Sequence, residues 1–207
     1  MKQLFVVRHG ETDNNKQRII QGSGIDASIN ERGIRQAQAI SESLQEHRID
    51  RLICSSLKRT YETAQPLAEL KELQIERYPD LNEINFGILE GEKFTEIQPA
   101  IEEIHQEWSN GNVKYAPDGG ESPLRAFERA HQKVLEILES SEKESEVIVL
   151  MVYGRLIRIL LSEWLGLGLE NMHKVEHQNG AINRLIWYEG IFKAIELNKT
   201  DHLLELI

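Results

Sequence analysis

One cysteine, Cys54, stands in the whole 207-residue sequence, so no internal disulfide can form. No apolar run approaches the roughly 18 residues that a membrane span requires, and the opening "MKQLFVV" lacks the apolar region of a secretory signal. A reducing cytoplasm is therefore the expected compartment. Basic residues are also in short supply. With 24 Lys and Arg against 34 Asp and Glu, the formal net charge is -10 and the pI near 5.3. Nothing resembles a basic stripe for backbone phosphates, which argues against a nucleic-acid partner. A chain this acidic that binds an anion needs a local arginine cluster working against its global field. Internal repeats and low-complexity tails are missing too. What remains, with 40% hydrophobic residues, is one globular domain spanning 1–207.

The stretch "VIVLMVYGRLIRILL", residues 147–161, is an apolar strand that stops at Tyr153-Gly154-Arg155 and resumes as an apolar helix. Six consecutive apolar residues, Val147 to Val152, suit a strand covered on both faces. In open α/β sheets the carboxyl ends of such strands are where ligands bind. Gln3 to Val7 is a second apolar strand and "RLICS" a third, followed by a helix from near Leu57 in which Pro66 need not end the pattern. Helical spacing predicts a helix over Glu31 to His47, with Ile34, Ala37, Ile40 and Leu44 on its apolar face. Further helices are expected over Thr95 to Trp108 and Pro123 to Ser140, and an extended segment at "QIERYP". "AINRLIWYEGIFKAIELN" reads as two strands joined at Glu189-Gly190. Strands alternating with helices predict an α/β three-layer sandwich, a mostly parallel central sheet with helices on both faces.

Arg8-His9-Gly10 follows the first strand directly, which projects these side chains at the carboxyl edge of the sheet. Alone, His9 reads more readily as a loop histidine held by hydrogen bonds. Arg59 lies near a helix start, where free N–H groups also favour an anion, but a surface ion pair explains it equally well. Glu83, in the glycine-punctuated "LNEINFGILEG", reads as a solvated carboxylate when taken by itself.

Together these segments say more. "RHGET" with Asn15, "SSLKRTYETA", "LNEINFGILEG", "GGES" and the terminal strand, glycine turn and helix occur in one order over nearly the whole chain. In that order they resemble the histidine phosphatase superfamily, the phosphoglycerate mutase-like family. The resemblance implies that His9 is the nucleophile toward a phosphate monoester, that Arg8 and Arg59 clamp the phosphate with Asn15 as a neutral donor, and that Glu83 donates a proton to the departing alcohol. Gln21 and Gly22 resemble the substrate-side loop of the family. No cofactor or metal is implied, and the partner is a small phosphorylated metabolite.

The family places a second histidine immediately before the glycine of the terminal turn; here that position is Tyr153, followed by Gly154. Tyrosine donates one hydrogen bond but stays neutral. The resemblance therefore implies a slowed phosphatase in which Tyr153 and Gly154 still help to enclose the phosphoryl group. A mutase and a phosphate-binding pseudoenzyme stand as alternatives. The chain length, with only a lid-like insertion at about 94–120, favours a small phosphatase over a mutase.

Other signals have plainer readings. Arg155 faces either the pocket or solvent, and Arg158 reads as part of a solvated helix face. "HKVEH", His173 to His177, matches a zinc peptidase pattern in form but lacks a sustained helix and a third ligand, so surface histidines are expected. Ser122 caps the following helix, Cys54 is a small core residue, and the acidic groups of "IEEIHQEW" hint against polyanionic substrates. The hairpin over 181–198 leaves an edge strand free to pair between the subunits of a homodimer.

Overall fold

The computed structural model describes residues 1–206, so the last residue of the expected 1–207 domain lies outside the described residues. In chain order, β1 (Lys2–Arg8) leads through the short α1 (Asp13–Lys16) to α2 (Glu31–Ser43). Then β2 (Arg51–Cys54), α3 (Lys58–Lys71) and β3 (Ile75–Arg77) form a second unit, and α4 (Gln98–Ser109) and α5 (Pro123–Glu139) follow it. The chain finishes with β4 (Glu146–Val152), α6 (Gly154–Trp164) and the hairpin β5 (Ile182–Tyr188) and β6 (Ile191–Lys199). The six strands lie in the order β3-β2-β4-β1-β5-β6. β1, β2, β3 and β4 pair in parallel, and β5 runs against both of its neighbours.

Alternation along the buried strands builds the three layers. Leu4, Val6, Ile53, Ile148, Leu150 and Val152 join Val134 and Leu138 of α5 and Leu156 and Leu160 of α6 in one core. The intervening residues Phe5, Val7, Leu52, Cys54, Val149 and Met151 join Ile40 of α2, Leu44 just after it, and Ala64 and Leu67 of α3 in the other. Both faces of the central strands are therefore covered, which is why these strands are apolar throughout. A third cluster ties α4 to the body through Ile101, Ile104 and Trp108, which meet Ile84, Phe86, Leu89 and Ile159.

Three boundaries or faces differ from the sequence reading. α2 ends at Ser43 rather than His47, and Ile34 is exposed while Ala37, Ile40 and Leu44 are buried. The place on the core face belongs to Gly33, because the loop after β1 presses on the helix there: a Cβ on Gly33 would lie 2.2 Å from the Glu11 carbonyl oxygen. α4 starts at Gln98, with Pro99 in its first turn, rather than at Thr95. Pro66 sits inside α3 without ending it.

β4 lies between β1 and β2, so three carboxyl ends meet. His9 follows β1, Ser55 and α3 follow β2, and Tyr153 and α6 follow β4. Crossover order has brought together segments about 50 and 100 positions apart in the chain, at the kind of switch point where open α/β sheets bind ligands.

Candidate active site

The cavity at this edge is about 250 Å³, and its wall includes Arg8, His9, Asn15, Gln21, Arg59, Glu83 and Gly154. Seven of the nine residues singled out from the sequence thus share one cavity. The other two, Gly22 and Tyr153, are not part of its wall.

His9 is 3% exposed, and its Nδ1 lies 2.7 Å from the Gly10 carbonyl oxygen. A carbonyl only accepts, so Nδ1 carries the ring proton and Nε2 keeps its lone pair. Burial, then the charges of Arg59 and Arg8, hold the imidazole well below its usual pKa of 6.5. His9 is thus neutral with a free ring nitrogen at neutral pH. Its backbone is held as firmly: Gly10 N donates to Thr63 Oγ1 at 3.0 Å, and Asn179 Nδ2 donates to the His9 carbonyl at 3.1 Å.

Arg8 donates from Nη1 to the His177 carbonyl at 2.9 Å and leaves Nε buried without a partner. Burial lowers its pKa to about 10, which still leaves it charged at neutral pH. Arg59 is 1% exposed and donates to the Ile25 and Gly22 carbonyls at 2.6 and 3.0 Å; its Nε too is buried and unpartnered. Gly22 therefore stands behind Arg59 rather than at the cavity. A Cβ there would meet the Ile84 carbonyl at 2.6 Å, so only glycine lets this loop close on Arg59. At the start of α3 Asp26 accepts from Lys58 N at 2.6 Å. Arg59, the second residue of that helix, is buried and is not a surface ion pair.

Asn15 Oδ1 accepts from Thr12 N and from Asn179 Nδ2, which turns its own Nδ2 outward as a donor. Gln21 Nε2 lies 2.7 Å from Thr12 Oγ1, and Gln21 Oε1 is buried and unpartnered. Exchanging the two ends of that amide keeps the bond, with the Thr12 hydroxyl donating, and presents a second neutral donor to the cavity.

Glu83 is buried, contrary to a solvated reading. Its Oε1 accepts from Ile84 N at 3.1 Å and Leu156 N at 2.8 Å, and its Oε2 accepts from Arg155 N at 3.1 Å. The carboxyl therefore caps α6 from outside the helix, where Tyr153 offers no side-chain cap. Burial raises the Glu83 pKa above the usual 4.5 and outweighs the backbone donors and Arg59, which act the other way. Arg129 braces this segment by donating to the carbonyls of Asp80, Asn82 and Glu83 while pairing with Glu121. Ser122 caps α5, accepting from Arg125 N.

Tyr153 turns into the core. Its ring is fully buried, its hydroxyl bonds to Ser55 Oγ, and Ser55 Oγ in turn lies 2.8 Å from Thr60 Oγ1. The Arg59 guanidinium sits 4.4 Å from the ring centre and the His9 ring 5.5 Å. Burial pushes the phenol up to about 12, so it stays neutral. Tyr153 is a platform beneath two residues of the site.

A family model described as histidine phosphatase superfamily (branch 1) matches residues 4–200. The chain belongs to the histidine phosphatase superfamily. Relatives within the superfamily include a "Probable phosphoglycerate mutase" of Yersinia pestis, 31% identical over 194 residues that cover 94% of this chain and 89% of that one. A mycobacterial glucosyl-3-phosphoglycerate phosphatase solved with VO3 is 28% identical with a TM-score of 0.86, covering 96% of this chain and 99% of its own. A phosphoserine phosphatase of Entamoeba histolytica, solved with phosphoserine, is 27% identical with a TM-score of 0.86 and coverage of 99% and 100%.

Several features of this superfamily member escaped the sequence. Arg158 lines the cavity instead of a solvated face; Arg155, which the sequence left open between pocket and solvent, lines it as well. His177 is buried, not at the surface: its Nε2 lies 2.7 Å from Asn183 Nδ2, while His173 is exposed. In "IEEIHQEW" the acidic Glu102 and Glu103 are exposed, and His105 is the residue that reaches the site, through Arg155. Among the described residues no three His, Cys, Asp or Glu side chains are grouped to hold a metal, and no helix is long and apolar enough to cross a membrane.

Proposed function

We propose that this chain hydrolyses small phosphomonoesters through a phosphohistidine at His9. The observation that carries the reading is the His9 Nδ1 to Gly10 carbonyl bond, which leaves a neutral Nε2 as nucleophile beside two arginines whose Nε groups are buried and unpartnered. The Nε2 lone pair attacks phosphorus, the bond from phosphorus to the alcohol oxygen breaks, and the Glu83 proton passes to that oxygen. The Glu83 carboxylate then takes a proton from water, water oxygen attacks phosphorus, and the phosphorus–nitrogen bond breaks. Phosphate leaves with His9 and Glu83 restored, and no metal is needed. Arg8, Arg59, Asn15 and Gln21 hold the phosphoryl oxygens, with the arginines supplying charge-assisted bonds.

Tyr153 slows this reaction, since its hydroxyl is taken up by Ser55 and nothing charged replaces the second histidine of the family. Losing one stabiliser of the transferring group costs roughly 10²–10³ in rate. The test is phosphate release from p-nitrophenyl phosphate and short alkyl phosphates, in chelator, by the chain as it stands and by Tyr153→His. A large gain with histidine, abolished by His9→Ala, supports the reading. Phosphate binding with no turnover by either protein would replace it with a phosphate-binding protein, and isomerisation of glycerate phosphates without phosphate release would assign a mutase.

A further inference from the structure

Four arginines line one cavity of a protein whose formal net charge is -10. Elsewhere four arginines have carboxylate partners: Arg32 with Glu11, Arg48 with Asp50, Arg51 with Glu76 and Arg129 with Glu121. Among the described residues no carboxylate lies within ion-pair distance of Arg8, Arg59, Arg155 or Arg158. The carboxyl in the cavity wall, Glu83, is occupied by three backbone N–H groups and holds its proton above the usual range. A phosphomonoester dianion engaged by Arg8 and Arg59 neutralises two of the four positive charges. Two remain.

Those two, Arg155 and Arg158, stand three residues apart on one face of α6. Arg155 is oriented: its Nη2 lies 3.0 Å from His105 Nε2, and its guanidinium carbon lies 5.6 Å from the centre of the Trp108 ring. Because arginine only donates, His105 accepts here and is neutral, so it adds no competing charge. The Arg158 side chain makes no hydrogen bond among the described residues. Burial disfavours the charge on both, and Arg158 further disfavours that on Arg155, a tension that an anion placed against them relieves. In the same cavity Ile19, Ile20 and Phe86 supply apolar lining suited to a carbon chain. A volume of about 250 Å³ keeps that chain short.

We infer that Arg155 and Arg158 form a second anion subsite, so that the preferred substrate is a short-chain phosphomonoester whose alcohol carries its own anionic group. The inference rests on the hydrolase reading above. A carboxylate and a second phosphate share this chemistry.

The experiment measures kcat/KM of the full chain on glycerol 3-phosphate, 3-phosphoglycerate and propane-1,3-diol bisphosphate. The first has a neutral alcohol, and the other two separate carboxylate from phosphate. An acidic ester is expected to exceed glycerol 3-phosphate by about 30-fold, the order of one charge-assisted hydrogen bond. Arg158→Gln is expected to cut that ratio about tenfold, mainly through KM, with Arg158→Lys retaining part of it. A purely structural effect of the substitution would lower all esters alike and leave the ratio unmoved, which overturns the inference, as does a ratio near one in the unaltered chain. If no ester is hydrolysed, the hydrolase reading fails separately. Calorimetric titration with 3-phosphoglycerate and glycerol 3-phosphate then decides the subsite: tighter binding of the acidic ester, lost in Arg158→Gln, supports it, and equal binding overturns it.

Discussion

Gly154 is the floor under Arg8: a Cβ at position 154 would lie 2.9 Å from both the guanidinium carbon and Nε of Arg8. The glycine that starts α6 is therefore set by the needs of a side chain from β1, 146 positions earlier. Gly154→Ala forces the guanidinium off its place beside the His177 carbonyl. The expected result is a folded protein whose kcat/KM falls roughly 10- to 100-fold, since displacement of a clamping group by about an ångström costs that much. Steady-state kinetics beside a thermal melt check it; full activity in a folded G154A would show that the Arg8 position does not matter.

The two titrating groups of the site are displaced toward one another. His9 becomes protonated only well below 6.5, and Glu83 keeps its proton above 4.5. Nucleophile and acid are both in their working forms over a wider window than free groups would allow, so kcat/KM is expected to fall on the acid side as His9 is protonated and on the alkaline side as Glu83 ionises. Glu83→Gln should abolish the alkaline limb of that profile and slow alkyl phosphates about 10²- to 10⁴-fold. The loss should be smaller on p-nitrophenyl phosphate, whose alcohol leaves without help. An alkaline limb that survives in E83Q would point to another acid.

For Tyr153 the ring and the hydroxyl have separable effects. Tyr153→Phe keeps the surface under Arg59 and removes the bond to Ser55, whose Oγ still meets Thr60 and Leu57 N. It should cost about 1 kcal/mol of stability and little activity. Tyr153→Ala opens a cavity in the core and should cost roughly 3–5 kcal/mol, with KM raised because Arg59 loses its support. Urea unfolding and kinetics on the two variants distinguish these outcomes, and equal KM values would remove the platform role.

Acid should unfold this protein through histidines rather than only through carboxylates. Burial first, then Arg8 and Arg158, lower the His177 pKa to about 3, against 6.5 in an unfolded chain. Between those values the unfolded state binds the extra proton, so stability is full above 6.5 and is lost as pH falls. Once the unfolded histidine is charged, the loss is about 1.4 kcal/mol per pH unit. His9 is shifted in the same direction and adds to it. Urea midpoints at pH 6.5, 5.5 and 4.5 should show the slope, and His177→Gln should flatten it.

Local pattern was enough for much of the frame. The apolar runs of β1 and β4 marked themselves, and the Glu189-Gly190 turn did so because the hairpin needs positive φ at both residues, found at 48° and 82°. Motif order also brought out Arg8, His9, Asn15, Gln21, Arg59, Glu83 and Gly154, which share a cavity. What sequence spacing missed depends on tertiary neighbours. The Tyr153 hydroxyl goes inward because β4 lies beside β2, which brings Ser55 within reach across 98 positions. Arg158 looked solvent-facing because its helix alone gives no sign of the cavity formed by loops at its N-terminal end. His177 is buried by Asn183 and Arg8, which no run of neighbouring residues announces.

Glu83 closes the N-terminal end of α6 from outside, and that makes the helix a meter of the proton count in the site. A charged carboxylate is a stronger acceptor than a neutral one, so the amides of Arg155 and Leu156 are gripped harder whenever Glu83 is ionised. Their NMR chemical shifts and exchange rates consequently follow that single proton without any product being formed. The same grip makes the first turn of α6, which carries Arg155, stiffest in the charged state, so the orientation of a guanidinium is tied to the titration of a carboxyl from a different part of the chain.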